Sequence, residues 1–133
     1  MPEGINLAAV GAAGTLAFVV GGLWYSPLVF GKVWMQAAGL TAAELPAGNP
    51  ALIYGGSLLL TLLAALVFAL FLGPKPAFGF ATGAGLSAGL CWVAASFGIN
   101  YLFEGKPLKL FLVNGGYHTV QFTLYGAVLG LWH

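Results

Sequence analysis

Charge is what this sequence has least of. Only 5% of its 133 residues are charged, as four lysines and three glutamates, against roughly 25% in an ordinary soluble domain. The lysines are too few and too scattered to form a nucleic-acid-binding patch. A single cysteine, Cys91, cannot form an intramolecular disulfide. With 60% hydrophobic residues, the composition excludes a soluble domain and predicts a membrane protein.

The charged residues separate four long uncharged runs, residues 4–31, 45–74, 76–103 and 110–133. Each run exceeds the roughly 20 residues that a helix needs to cross the hydrocarbon of a bilayer. The predicted fold class is therefore all-α, an integral membrane bundle of four transmembrane helices in a single domain, residues 1–133. The predicted helices span about residues 5–25, 50–72, 77–103 and 108–132.

A short interfacial segment is expected after the first helix. Ser26-Pro27 ends that helix, because the residue before a proline is driven out of helical geometry. Trp24, Tyr25 and Trp34 are candidate interfacial anchors at the aromatic belt of the membrane surface.

Two further signals follow this segment. Thr41 and Glu44 have capping-box spacing for a short surface helix. Asn49-Pro50 predicts the start of the second helix, as an N-cap residue followed by proline in the first turn.

Glycines predict how the helices pack. The third predicted helix carries two Gly-x-x-x-Gly pairs, Gly79 with Gly83 and Gly85 with Gly89, which favour close packing on more than one face. One of these faces is expected to meet a second copy of the chain. The second helix is mainly aliphatic and is assigned to lipid contact, and the turn at residues 73–76 is expected to make it the antiparallel neighbour of the third.

The turn at residues 104–107 is short enough to make the third and fourth helices an antiparallel hairpin. Polar residues recur every three or four positions on both helices, on one face of each. The candidate polar seam that they form consists of His118, Asn114, Gln121, Asn100, Ser96, Glu104 and Tyr125. In a level hairpin, Ser96 and Phe97 lie opposite Asn114, and Trp92 and Val93 lie opposite His118.

Two interpretations of this seam stay open. Its side chains either form interhelical hydrogen bonds that fix the helix register, or they mark a pathway for a substrate, an ion or a proton. Glu104 likewise is either part of a hydrated ion cluster with Lys106 and Lys109 or the gate of such a pathway.

No catalytic residue, metal ligand or cofactor is expected. His118 and His133 lie at different depths, so they do not form a metal site within one chain. A haem held by His118 of two chains is a minor alternative. The sequence has no set of nucleophile, base and orienting acid, and no glycine-rich phosphate loop.

Two blocks carry a family resemblance, WYSPLVFGKVW at residues 24–34 and NYLFEGKPLKLFLVNGGYHTVQFTLYGAVLGLWH at residues 100–133. With them the chain resembles the small four-helix bacterial membrane proteins grouped as domain of unknown function 1761. The resemblance implies a multi-pass protein of the bacterial inner (plasma) membrane and brings no activity or binding residues. The segment between Gln36 and Asn49 is short and alanine-rich, and adds no domain.

The lysines predict an orientation. Lys32, Lys106 and Lys109 lie on the side of the first and third connections and Lys75 on the other, so the positive-inside rule favours both termini outside.

Two functions remain open. The first is a small oligomeric transporter or channel-like protein, whose small-molecule or ion path is lined by Asn100, Asn114, His118 and Gln121. The second is a non-transporting scaffold or accessory subunit that binds lipid or another membrane protein. The abundant glycine favours a homodimer or higher homo-oligomer in both cases.

Overall fold

The computed structural model describes residues 4–40 and 49–133, and these residues form helices and no strand. The helices are α1 (Leu7–Trp24), α2 (Gly31–Ala38), α3 (Pro50–Leu72), α4 (Phe78–Ser87), α5 (Ala95–Glu104) and α6 (Leu108–Leu131). A π-helical segment, Ala88–Ala94, joins α4 to α5 without a break. The all-helical prediction and the short helix after the first long one are confirmed. The predicted capping box at Thr41 lies outside the described residues.

Three helices in the described part of the chain are long and apolar enough to cross a membrane: Leu7–Trp24, Pro50–Leu72 and Phe78–Glu104. The fourth predicted span corresponds to α6, whose 24 residues reach about 36 Å at 1.5 Å per residue. Polar residues such as Asn114, His118 and Gln121 interrupt its apolar sequence. Length and composition therefore support three spans. The helix α6 is long enough to cross a membrane but is less apolar than the other three.

Local sequence signals set the helix ends as predicted. The Asn49 side chain accepts a hydrogen bond from the Ala51 amide at 2.9 Å, and Pro50 occupies the first helical turn. Gly105 ends α5 in the left-handed conformation at φ 68°, and the Lys106 amide donates back to the Tyr101 carbonyl at 3.0 Å. This is the Schellman geometry that favours glycine, and it tightens the turn into α6.

The helices pack in the order α3, α1, α6, α4, so α6 lies at the centre of the bundle. Small residues let α1 and α3 approach closely: Ala9 and Ala13 are fully buried against Ala65, and Leu62 packs on Gly14. The expectation that α3 and α4 are antiparallel neighbours is wrong, because α6 and α1 lie between them. The five residues between Leu72 and Phe78 thus join two helices that pack on different partners, α3 on α1 and α4 on α6.

The two termini meet the turn between α3 and α4 at one end of the bundle. The side-chain nitrogen Nδ2 of Asn6 lies 3.5 Å from the Trp132 carbonyl oxygen. The His133 ring nitrogen Nε2 lies 2.8 Å from the Pro76 carbonyl oxygen. The other end holds α2 and the turn between α5 and α6. The outer surface of α3 is covered by exposed aliphatic side chains such as Leu52, Leu59 and Leu60, as its assignment to lipid contact predicts.

Candidate functional site

Three of the predicted seam residues form a continuous line of hydrogen bonds in α6. His118 Nδ1 donates to Gln121 Oε1 at 2.5 Å, Gln121 Nε2 donates to the Tyr125 hydroxyl at 2.6 Å, and that hydroxyl donates to the Thr61 carbonyl of α3 at 2.8 Å. Tyr125 is fully buried, and Gln121 is the buried polar residue of the described core. Gln121 and Tyr125 each accept one hydrogen bond and donate the next, so the line anchors α6 to α3.

Asn114 belongs to a second, separate group. Its oxygen Oδ1 accepts from the Tyr25 hydroxyl and its nitrogen Nδ2 donates to the Tyr101 hydroxyl, both at 2.6 Å. One amide therefore joins the end of α1, the middle of α5 and α6. Burial raises the pKa of Tyr25 above its ordinary value, so its hydroxyl stays protonated and remains a donor to Asn114 at neutral pH.

Aromatic donors add two more cross-links between helices. The Trp24 indole nitrogen donates to the Val113 carbonyl at 2.9 Å, and the buried Tyr117 hydroxyl donates to the Ala17 carbonyl at 2.8 Å. Trp24 and Tyr25 therefore turn inward onto α6, whereas the sequence predicts them only as interfacial anchors. Trp34 packs edge-on against Tyr25 at a centroid distance of 5.3 Å, which places α2 over this cluster.

Sequence reasoning missed Tyr101, Tyr117 and Thr61 as members of these groups. A signal for the two tyrosines was present, since a buried hydroxyl in an apolar helix needs a hydrogen-bond partner. No comparable signal existed for Thr61, because it takes part through its backbone carbonyl.

The remaining seam candidates lie elsewhere. Ser96, Asn100 and Glu104 are exposed on the outer side of α5, away from the polar face of α6. Phe97 of the same helix does reach α6. Its ring stacks on the His118 ring, with 5.1 Å between the ring centroids and an interplanar angle of 9°. The two polar stripes thus do not form one seam, although the register of the hairpin is close to the predicted one.

The π-helical segment explains the separation. Small inward residues on this hairpin arm recur at Gly85, Gly89, Ala94 and Gly98, with a spacing of five across the segment. A π turn takes one more residue than an α turn, and each residue of an α-helix advances by about 100°. Without that extra residue, Ser96 and Asn100 would follow Gly85 and Gly89 on the inner face.

The two glycine pairs of the third span serve different surfaces. A Cβ atom at Gly85 would overlap the Phe122 carbonyl oxygen, and one at Gly89 would lie 2.6 Å from the His118 carbonyl oxygen. Gly85 therefore brings α4, and Gly89 brings the π-helical segment, into backbone contact with α6 within one chain. A Cβ atom at Gly79 or at Gly83 would have no neighbouring atom within 4 Å. These two glycines therefore face outward, whereas Gly85 and Gly89 face α6.

The polar side chains inside the bundle therefore mainly form hydrogen bonds with one another and with backbone carbonyls. The neutral His118 ring donates through Nδ1, which leaves Nε2 as an acceptor that makes no hydrogen bond among residues 4–40 and 49–133. The two hydrogen-bonded groups contain tyrosines, side-chain amides, one imidazole and backbone carbonyls. Neither group includes a carboxylate, a thiol or an amine.

Comparison with known proteins gives one match. A family model described as "Protein of unknown function (DUF1761)" covers residues 8–130. Neither the curated proteins nor the solved structures contain a match. Since the matched region covers most of the chain, including nearly all of every long helix and of both sequence blocks that carry the resemblance, this chain belongs to the DUF1761 family.

Proposed function

We propose that this chain is a four-span protein of the bacterial inner membrane that binds other membrane components and does not conduct through its own helix bundle. Three spans follow from length and composition. The fourth is α6, which is long enough at about 36 Å and is flanked by α1 and α4, so that its polar side chains are shielded from lipid. An even number of spans agrees with the two termini lying at one end of the bundle.

The absence of open space between the described helices is the observation that supports a binding role. Where a path would run beside His118, the backbone of the π-helical segment contacts α6 at Gly89, and the backbones of α4 and α6 are in contact through Gly85 and Gly126. The polar groups of α6 are bonded to one another and to carbonyls of α1 and α3. Interhelical hydrogen bonds of this kind hold helices in register, which suits an accessory or scaffold subunit.

One observation favours the transporter hypothesis as the second candidate. His118 Nε2, near the middle of α6 and beside the Phe97 ring, makes no hydrogen bond to the part of the chain that the structure describes, and polar groups within a membrane often mark pathways. In that case a homo-oligomer would supply the space that a single chain lacks, and the path would run past His118 and not along all four residues that the sequence predicts.

Reconstitution into liposomes separates the two candidates. Proton flux, driven by a potassium gradient with valinomycin and followed with an entrapped pH-sensitive dye, is expected to equal that of protein-free liposomes. Flux that disappears in His118→Ala and persists in His133→Ala would refute the binding role and establish transport. His133 is the matched control because it lies at the end of the chain, against the Pro76 carbonyl.

The proposed orientation places both termini outside. Lys32, Lys106 and Lys109 belong to the opposite end of the bundle and Lys75 to the end with the termini. Alkaline phosphatase fused to His133 is then expected to be active, since this enzyme folds only outside the cytoplasm. An inactive but stably expressed fusion would reverse the orientation.

A further inference from the structure

The outer face of α5 differs from the rest of the surface that the described helices present to a membrane. It carries a polar line, Ser96, Asn100 and Glu104, next to the exposed ring of Trp92. The outer face of α3 is mainly aliphatic and aromatic, with Ser57 as its exposed polar side chain. Lipid chains offer no hydrogen bond, and an unpaired amide in hydrocarbon is costly. A partner that forms hydrogen bonds therefore suits this face of α5 better than lipid does.

The shape of this face suits a second helix. Trp92, Val93, Ser96, Phe97 and Asn100 line an open groove of about 370 Å³, with the small Ser96 between larger side chains. All five belong to one helix, so the groove is the kind of gap between side chains that receives a side chain of a facing helix.

We propose that the α5 face around Ser96 and Asn100 is the interface with a second copy of this chain, related by a two-fold axis along the membrane normal. Such an axis places each residue near its own counterpart, so the interface must be self-complementary. The primary amide of Asn100 meets that need because it donates and accepts. The Ser96 hydroxyl already donates to the Trp92 carbonyl at 2.6 Å, so it brings only acceptor capacity to the interface.

Charge at the end of the same line agrees with this arrangement. Glu104 continues the line to the end of α5, and Lys106 and Lys109 follow within five residues. The two-fold axis brings the two Glu104 carboxylates towards each other, and the lysines that follow in each copy place cations beside that pair of like charges. The π-helical segment is the device that turns this line outward, since it rotates Ser96 and Asn100 away from α6.

This inference rests on the proposed membrane placement and names the partner surface that the binding role leaves open. The first experiment uses the full chain with Cys91→Ala in liposomes and a short bis-maleimide reagent. Ser96→Cys is expected to give covalent dimers, whereas Leu60→Cys on the outer face of α3 is not. Equal cross-linking at both positions, or none at Ser96, would overturn the interface.

The second experiment removes the amide. Asn100→Ala is expected to weaken dimerisation about threefold for each hydrogen bond lost, or roughly eightfold for a reciprocal pair, measured by energy transfer between labelled chains in liposomes. Asn100→Gln, which keeps the amide, is expected to retain more of the affinity. Unchanged dimerisation in Asn100→Ala would refute the role of the amide.

Native mass spectrometry distinguishes the failure of this interface from failure of the binding role. Dimers that persist in Asn100→Ala and fail to cross-link at Ser96 would move the interface elsewhere and leave the binding role intact. Monomers that retain a lipid, lost on Asn100→Ala, would overturn the dimer in favour of lipid in the groove. Flux in the liposome assay would instead count against the binding role itself.

Discussion

Replacing Gly85 with alanine probes the contact that closes the interior of the bundle. A Cβ atom at this position would overlap the Phe122 carbonyl oxygen, and would lie 2.8 Å from the carbonyl carbon and 3.1 Å from the Thr123 Cα. Ordinary contacts of a Cβ begin at 3.4 Å. All three opposing atoms are backbone atoms, so no rotamer change relieves the overlap and α4 and α6 must separate.

The expected cost follows from this geometry. Overpacking of a close-packed interior costs about 1–3 kcal/mol, and contact with rigid backbone places Gly85→Ala in the upper half of that range. The higher helix propensity of alanine returns up to about 1 kcal/mol. Gly83→Ala gains the same propensity without the overlap, because nothing lies within 4 Å of its Cβ. The two variants should therefore differ by about 2–3 kcal/mol in the free energy of unfolding.

Unfolding by SDS in mixed micelles, followed by the loss of helical circular dichroism, measures this difference. Gly83→Ala is the matched control because it lies two residues away in the same helix and makes the same change. A difference under about 0.5 kcal/mol between the variants would refute the backbone contact. Greater damage from Gly83→Ala would show that the outward glycines carry the packing instead.

Three further predictions concern the hydrogen-bonded groups. Tyr125→Phe removes the bond to the Thr61 carbonyl and leaves a buried amide unpaired, so it is expected to cost about 1–3 kcal/mol of unfolding free energy, whereas Tyr54→Phe at an exposed site should change little; equal effects would refute the line of bonds. Asn114→Ala should lower the thermal unfolding midpoint and raise protease cleavage next to α2, because Tyr25 loses its acceptor; unchanged cleavage would mean that α2 is held by packing alone. The stability that Tyr25 contributes should be present below pH 10 and fall as the pH rises towards its raised pKa, and this loss should be absent in Tyr25→Phe; an identical pH profile in both proteins would contradict it.

Much of the helical architecture follows from the sequence because its causes are local. Asn49-Pro50 and Gly105 fix helix ends through caps that involve only residues within a turn. The short turn at Gly105 forces α5 and α6 into a hairpin, and the register within it is close to the predicted one. Of the four spans that the apolar runs predict, three are long and apolar enough to cross a bilayer, since crossing depends on length and composition.

The neighbours of each helix and the direction of each polar face were decided by the tertiary structure. Four glycines of the third span look alike in sequence, yet Gly85 meets a backbone and Gly83 meets none. Which glycine is used depends on the whole facing surface of α6. The same surface separates α3 from α4, although only five residues join them.

The seam shows the limit of sequence reasoning most clearly. His118, Gln121 and Tyr125 lie on one face of an unbroken α-helix, so their spacing was sufficient to predict that they meet. Ser96 and Asn100 follow a π-helical segment, and its additional residue rotates everything after it by about 100°. The sequence by itself thus determined where the helices lie and which polar residues they carry. Only the packing of α4 and α5 on α6 decided that one polar stripe points inward and the other outward, because the backbone winding that sets their direction depends on that contact.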